Sequence, residues 1–508
     1  MKPRAFPRTP QQLSASVSWQ QLATVFAVLY SLGYLVGFLT KDSLFSGGLV
    51  TSGSGHAPSA VLLDTTHKWK GDTVHTVFTS SGDAYQNFQS RIMYATYKLV
   101  QQQPGGERLT GFTRILHRTV PDVLMDEIPT FHTQPLKPQC DGWCDYPVAN
   151  RPPAIKAFFD AVRRNESMIQ GAWVFMLEAD YVWMQPMQVP GDAWDRSVPG
   201  VQFLYDYIMP AHPNAAPQMK KLYAGNVSDI PASGPAPVLM RLQDWYTITE
   251  DYASRIMEGD QEMKSKLEWV REMYAWDVAV AKHRDLIPMR TEHPPESTTI
   301  VQPPFDEGLD RAALCHYTWG ALYHEGLPSQ GVKPFYKWEK RDYNNMAFVL
   351  KVPNIPMPPE YKDGWILEFD APLNRKRHDL VVLMLTQMNK AINQLPDLTE
   401  TWKIEEPKIN EMIRARDAAE AEAKSIFRRG DRRWNSLDRL LATGHRPLVL
   451  GLVAGHPSHW QQRFGGGEGS CTTTMRYRKS RTPRGGGRPS SLRADGLSGV
   501  STAHHNEL

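Results

Sequence analysis

The sequence predicts an α/β domain built on a mainly parallel sheet, and three observations carry that expectation. From residue 74 onward, short apolar runs of strand character alternate with stretches of helical spacing. Helix-length segments separate successive runs, so the strands must be joined by crossovers and lie parallel. One apolar run, Gly171-Ala172-Trp173-Val174-Phe175-Met176-Leu177, ends in Glu178-Ala179-Asp180. Ligands of such sheets bind beyond the carboxyl ends of the strands, so two acids at that place are a candidate site.

In chain order, Lys2, Arg4 and Arg8 precede Leu22 to Leu39, a run of 18 residues without a charge. About 20 apolar residues span a bilayer. The basic flank predicts a cytoplasmic segment over 1–21 and an uncleaved signal anchor over 22–39, with the body luminal. A cleaved signal peptide is the rival; the run is long for one and lacks a small-x-small exit. Residues 40–73 are rich in Gly, Ser and His and read as a stem. The folded domain is expected over 74–396.

Val74 to Thr79 reads as the first buried strand and Ser80-Ser81-Gly82-Asp83 as its turn. Residues 85–103 have helical spacing, with Phe88, Ile92 and Leu99 on an apolar face. Gly111 to Leu116 is a second strand, Ile155 to Arg164 a short helix, and the strand ending at Glu178 follows. Val201 to Tyr205 and Pro237 to Met240 are further strands, with a helix near 214–224 between them. One long helix is expected over 252–283. A Pro-rich passage over 294–308 leads to Cys315-His316-Tyr317-Thr318-Trp319-Gly320. A helix over 379–394 and a charged helix within 397–430 close the folded part. Residues 431–508, with Gly465-Gly466-Gly467 and Gly485-Gly486-Gly487 among Ser, Arg and Thr, have the composition of a disordered tail.

The chain carries 57 basic and 54 acidic residues. That balance calls for neither nucleic acid nor an acidic partner. Cys140 and Cys144 either pair or stay as thiols, since spacing alone does not decide it. Asn165-Glu166-Ser167 and Asn226-Val227-Ser228 are glycosylation sequons that fit a luminal address.

No Walker motif, HExxH, GxSxG or paired CxxC is present. A bound diphosphate would then be held by a metal and by cationic side chains. Glu178 and Asp180 stand two residues apart on an extended chain and share a side of it, with Ala179 pointing away. Such hard ligands suit Mg²⁺ or Mn²⁺; the plainer alternative is two acids marking a strand end in solvent. His316 is the candidate third ligand, against a packed histidine beside Tyr317 and Trp319. On a continuous helix Trp269, Glu272, Met273 and Trp276 share a face, so two tryptophans would frame Glu272 as if for a sugar ring; an aromatic core stripe is the alternative. Asp277 then lies roughly 140° around from Glu272. Arg114 and Asp126, and Arg151 of Asn150-Arg151-Pro152, are candidates for binding a nucleotide or phosphate, or else residues that line a loop and anchor a helix.

These segments, in this order, resemble the plant and algal hydroxyproline O-arabinosyltransferases, to which peptidyl serine galactosyltransferases are related. The resemblance is carried by Phe88 to Tyr94, Gly111 to Leu116, Pro121 to Thr130, Asn150-Arg151-Pro152, Glu178-Ala179-Asp180 and Trp269 to Ala275. It continues through Gln302-Pro303-Pro304, His316 to Gly320 and Trp338-Glu339-Lys340-Arg341-Asp342-Tyr343. It implies a GT-A-like fold in a Golgi type II enzyme. The implied donor is UDP-β-L-arabinofuranose, transferred with retention to hydroxyproline of secreted or cell-wall glycoproteins. It further implies that a metal, Mn²⁺ or Mg²⁺, is held by Asp180 with Glu178 and His316. Glu272 and Asp277 become the catalytic candidates; Arg114, Asp126, Arg151, Glu178, Trp269 and Trp276 become the donor-binding ones. Ala179, Tyr181, Pro153 and Ala321-Leu322-Tyr323 depart from the family pattern. A serine galactosyltransferase of the same fold and an inactive lectin are the rival readings.

Overall fold

The computed structural model describes residues 68–142, 144–253 and 261–429. The expected anchor, most of the stem and the tail beyond 430 lie outside the described residues. Among the described residues no helix is long and apolar enough to cross a membrane.

The chain opens with β1 (Val74–Ser80) and α1 (Ala84–Gln101), then β2 (Leu109–His117), β3 (Thr130–Thr133), α2 (Arg151–Arg164), β4 (Trp173–Leu177) and β5 (Tyr181–Trp183). Next come β6 (Gly200–Phe203), α3 (Ala216–Leu222), β7 (Val238–Arg241), α4 (Leu242–Tyr252), α5 (Gln261–Leu267), α6 (Arg271–His283) and β8 (Met289–Glu292). Four short strands follow: β9 (Ile300–Val301), β10 (Leu314–His316), β11 (Ala321–Tyr323) and β12 (Tyr336–Trp338). The helices α7 (Met346–Leu350), α8 (Arg375–Ile392) and α9 (Thr399–Arg429) end the described chain.

Seven strands form the main sheet in the order β3-β2-β1-β4-β7-β6-β8. Around β1 the pairings are parallel: β3 with β2, β2 with β1, and β1 with β4. The short β7 runs antiparallel to both β4 and β6, and β8 returns parallel to β6. The sheet is thus mainly parallel, as the alternating pattern predicts. Every residue of β1 and β4 is buried, as expected of strands covered on both faces.

The turn after β1 fixes how α1 starts. Gly82 has φ +69°, and a Cβ there would meet Leu116 Cδ1 at 2.7 Å, so a side chain is excluded. Asp83 then caps α1 by accepting from Gln86 N at 2.8 Å, while Gln86 Oε1 accepts from Ser81 N at 2.7 Å.

A smaller sheet, β5-β10-β9, continues from the end of β4. Its β5 and β10 are antiparallel in the register Tyr181 with His316, Val182 with Cys315, and Trp183 with Leu314. The pleat divides the side chains between two cores. Tyr181 and Trp183 join the core of the main sheet. Val182 and Cys315 join a second core with Tyr317, Tyr323, Trp338 and the Met384, Leu385 and Met388 face of α8.

Two expectations need correction. The single helix over 252–283 is broken: α4 stops at Tyr252, and α6 starts only at Arg271. Glu268, just ahead of it, has φ +42°, a left-handed conformation that a right-handed helix cannot contain. The helix expected from Ile155 begins instead at Arg151, because Pro152 and Pro153 fall in its first turn, where a fixed φ and a missing N–H do no harm. Two open points are resolved. Cys140 and Cys144 form a disulfide. The charged C-terminal helix begins at Thr399 and is docked, burying Ile409 and Ile413 against Val120.

Arg91 ties the two ends of the fold together. It is fully buried on α1, pairs with Glu127 at 2.8 Å, and donates to the carbonyls of Val349, Leu350 and Pro396. Replacing it with Met leaves Glu127 uncompensated and three carbonyls short of a donor. Breaking one side of such a buried pair costs about 3–5 kcal/mol. The Arg91→Met variant should therefore show a clearly lower urea midpoint with an unchanged slope; a midpoint equal to that of the wild type would contradict this role.

Candidate functional site

The site lies on the turn that leaves the carboxyl end of β4. Glu178, Ala179 and Asp180 occupy that turn, and Tyr181 opens β5. The antiparallel register of β5 and β10 places His316, far away in sequence, opposite Tyr181. Tyr317 N donates to Asp180 O at 3.2 Å and holds the turn against β10. One ligand atom each from Glu178, Asp180 and His316 then lies within 4.8 Å of the others. Ala179 is buried in the core, on the other side of the chain, as the alternation requires.

Asp180 is the most constrained of the three. Its Oδ2 lies 2.7 Å from Lys340 Nζ and 3.3 Å from His316 Nε2. Although burial opposes ionisation, the charges of Lys340 and His316 hold the Asp180 carboxyl far below the usual carboxylate range. Lys340, itself buried, is correspondingly raised: burial works against its charge, and Asp180 outweighs it. His316 is set by the edge of the Tyr181 ring at 4.4 Å and by the Thr318 hydroxyl at 3.1 Å, which in turn meets Gln302 Oε1 at 3.2 Å.

Arg151, the first residue of α2, forms a second group beside the first. Its Nη1 lies 2.6 Å from Glu178 Oε1 and 3.6 Å from Glu272 Oε2. Tyr252 donates its hydroxyl to Glu272 Oε1. Glu272 N donates to the Tyr146 hydroxyl at 3.1 Å. Burial pushes the Glu272 carboxyl up; Arg151 and the Tyr252 hydrogen bond pull it partly back. His117, at the end of β2, is pushed down to about 4 by burial, with the charge of Arg151 adding to it. Nearby, Tyr207 donates its hydroxyl to Met273 Sδ at 3.8 Å. Burial first, and then the charges of Glu178, Asp180 and Glu272, raise that hydroxyl's pKa.

The structure thus brings Glu178, Asp180, His316, Arg151 and Glu272 together. Other candidates stand elsewhere. Arg114 is fully buried in a two-bond pair with Asp122 (2.7 and 2.8 Å) and also reaches Asn87 and Thr130. Asp126 is exposed on the loop between β2 and β3. The two tryptophans do not frame Glu272. Trp269 precedes the helix and sets its ring edge-on to Tyr146 at 5.9 Å. Trp276 is enclosed between Trp245 and Tyr252 and donates to Gln202 Oε1 at 3.3 Å. The left-handed residue at 268 is the physical reason, since it takes Trp269 off the helical face. Asn165 and Asn226 are both exposed.

Lys340 and Tyr252 were not legible as site residues. Lys340 lies in the Trp338-to-Tyr343 segment that carries part of the family resemblance, which was its one signal. The fit to a metal rests on the donor set. Two carboxylate oxygens and an imidazole nitrogen converge, one carboxylate is held ionised, and such a mixture suits Mn²⁺ or Mg²⁺.

Residues 74–289 match the family model described as the hydroxyproline O-arabinosyltransferase family N-terminal domain. Hydroxyproline O-arabinosyltransferase NOD3 of Pisum sativum is 31% identical over 340 residues, covering 65% of this chain and 93% of that protein. Hydroxyproline O-arabinosyltransferase PLENTY of Lotus japonicus is 33% identical over 275 residues, covering 53% and 71%. Hydroxyproline O-arabinosyltransferase 1 of Arabidopsis thaliana is 32% identical over 294 residues, covering 56% and 74%. Among solved structures, a glycosyltransferase involved in glycosylation of the major capsid of PBCV-1 aligns at 10% identity and a TM-score of 0.27, covering 48% of this chain and 93% of that one; a likeness this slight has no bearing on the fold. The chain belongs to the hydroxyproline O-arabinosyltransferase family, a family of glycosyltransferases.

Asp277 yields a test of the pocket's surroundings. It is fully enclosed; Oδ2 accepts from Ser233 N at 3.3 Å, and Oδ1 has no partner among the described residues. Burial pushes its carboxyl well above the usual range. Above the unfolded pKa, near 3.9, the folded state therefore holds a proton that the unfolded state has lost. Stability then falls as pH rises toward the folded pKa. Asp277→Asn copies the protonated shape and does not titrate. Relative to wild type, the variant should gain stability between about pH 5 and about pH 7.5, by at most about 1.4 kcal/mol per pH unit. Urea unfolding at the two pH values measures it; a constant difference would show that Asp277 is ionised in the fold.

Proposed function

We propose that this chain transfers L-arabinofuranose from UDP-β-L-arabinofuranose, with retention, to the hydroxyl of hydroxyproline in secreted or cell-wall glycoproteins. The observation that carries the reading is the convergence of Glu178, Asp180 and His316 at the carboxyl end of β4. The names of the relatives supply the sugar and the acceptor. The parallel order β3-β2-β1-β4 is consistent with a GT-A-like domain.

The roles follow from the contacts. Asp180, Glu178 and His316 would hold a divalent cation, Mn²⁺ or Mg²⁺, which when bound would supply Lewis-acid stabilisation to the diphosphate leaving group. Without a cation, Lys340 keeps Asp180 anionic, and Tyr181 and Thr318 fix the His316 ring. Arg151 locks Glu178 beside the metal set and reaches toward Glu272, so one guanidinium holds both carboxylates in place. Glu272 is 2% exposed beneath Arg151. We therefore place it as a positioning residue that acts through Arg151, in place of the sugar or acceptor contact expected from sequence. Preorganised charges of this kind act where charge develops in a dissociative transition state.

A luminal setting belongs to the same proposal. The run over 22–39 would anchor the chain as a single-pass type II protein of the Golgi. The exposed sequons at Asn165 and Asn226 and the Cys140–Cys144 disulfide suit an oxidising, glycosylating lumen.

The test is a transfer panel with the full-length chain: several UDP-sugars, a hydroxyproline peptide and its serine counterpart, with and without Mn²⁺. Incorporation should come from UDP-arabinofuranose onto hydroxyproline and depend on the metal. Transfer from UDP-galactose to serine alone would establish the rival reading. Asp180→Asn should lower the transfer rate by roughly 10²-fold or more, the scale of several kcal/mol of charge stabilisation.

A further inference from the structure

Lys340 is a charged side chain for which neither the sequence pattern nor the proposed metal set has a use, and it is built into the site. It lies on a turn just after β12, is 5% exposed, and passes over the Tyr317 ring at 5.6 Å from Nζ to the centroid. Its ammonium contacts Asp180 Oδ2 at 2.7 Å, the same oxygen that faces His316 Nε2 at 3.3 Å. One oxygen of the same carboxylate belongs to the three-ligand cluster. A divalent cation shared by Glu178, Asp180 and His316 would bring two further positive charges to a carboxylate that already faces one. In a poorly solvated pocket, like charges at contact repel by far more than thermal energy. The ammonium and the cation therefore compete for Asp180.

The donor supplies the alternative partner. A nucleoside diphosphate brings several negative oxygens to the same place, and a lysine is a strongly hydrated point charge on a flexible stem, suited to changing partners. We propose that Lys340 is a ligand of the donor diphosphate: it neutralises Asp180 while the site holds no cation, and passes to the phosphate when a cation takes Asp180. This rests on the metal-site reading given above. It predicts two effects of opposite sign. Removing the ammonium frees Asp180 for the metal, and deprives the diphosphate of a charge.

The experiment uses the full-length chain and measures binding in place of turnover. Mn²⁺ binding without nucleotide is followed by electron paramagnetic resonance of the free ion, and UDP binding in saturating Mn²⁺ by calorimetry. Lys340→Met should bind Mn²⁺ about tenfold more tightly than wild type and UDP about tenfold more weakly, within the range by which coupled ligands ordinarily affect one another. Lys340→Arg, which keeps the charge, should remain near wild type in both. Lys340→Gln, whose amide can still donate to Asp180, serves as a second neutral variant should Lys340→Met not fold. Unchanged or weaker Mn²⁺ binding in the neutral variants, or unchanged UDP binding, overturns the inference and leaves Lys340 as a structural countercharge. Asp180→Asn separates the two readings. If it abolishes Mn²⁺ binding while the neutral Lys340 variants leave that binding alone, the Lys340 inference alone fails. If no Mn²⁺ binding depends on Asp180, the metal site and this inference fall together.

Discussion

The site depends on a three-residue ladder. Tyr181, Val182 and Trp183 pair antiparallel with His316, Cys315 and Leu314, in a register that alternation makes strict. A slip of β10 by one residue would turn His316 and Leu314 toward the second core and Cys315 out of it. The register is held because both faces are buried: Trp183 and Leu314 pack in the main core, and Val182 and Cys315 against α8. His316 therefore reaches Asp180 through core packing, and no local sequence feature around either residue sets their meeting.

Around this ladder the charges alternate. Lys340, Asp180 and His316 form one short series, and Glu178, Arg151, Glu272 and Tyr252 the other. Neither carboxylate of the turn is left to face the low-dielectric surroundings alone. An isolated buried acid would shift its pKa and become neutral, losing the charge a cation needs. The strong depression at Asp180 and the raised Glu272 show the two outcomes side by side. Asp180 has an ammonium in contact, whereas Glu272 has its nearest guanidinium nitrogen at 3.6 Å and a hydroxyl donor. Distance to the compensating charge separates a ligand-grade carboxylate from an enclosed supporting one.

Much of the fold was legible in the sequence because it follows from periodicity. The buried strands, α1 and the turn acids at 178 and 180 are local patterns, and they appear where the pattern puts them. The parallel order around β1 follows from helix-length connections. What could not be read depends on single backbone conformations or on distant packing. The break at Glu268 depends on one left-handed residue whose type does not announce it. With that break, the tryptophan frame around Glu272 disappears. Arg114 looked like a ligand because an arginine beside acids looks the same whether it binds a phosphate or Asp122. Lys340 was hidden for the opposite reason: in sequence it sits in a charged segment, and only the return of the chain after β12 brings it to Asp180, 160 residues away.

The departures from the family pattern at 179 and 181 acquire a physical sense from this arrangement. Ala179 points into the main core, away from the ligands, so its change alters packing beneath the turn and adds or removes no oxygen donor. Tyr181 is fully buried, with its ring against His316 and its hydroxyl without a hydrogen-bond partner among the described residues. Substitution there moves the floor on which the imidazole rests and leaves the set of ligand types intact. Sugars that differ by one hydroxymethyl group are discriminated by shape and by hydroxyl contacts, where a single methylene is worth about 1–3 kcal/mol. A shifted floor can therefore change which sugar fits while the metal ligands stay fixed. Asp180 and Tyr181 are adjacent in sequence and both meet His316, one through its carboxylate and the other through its ring, so a change at 181 reaches the carboxylate's surroundings through the imidazole.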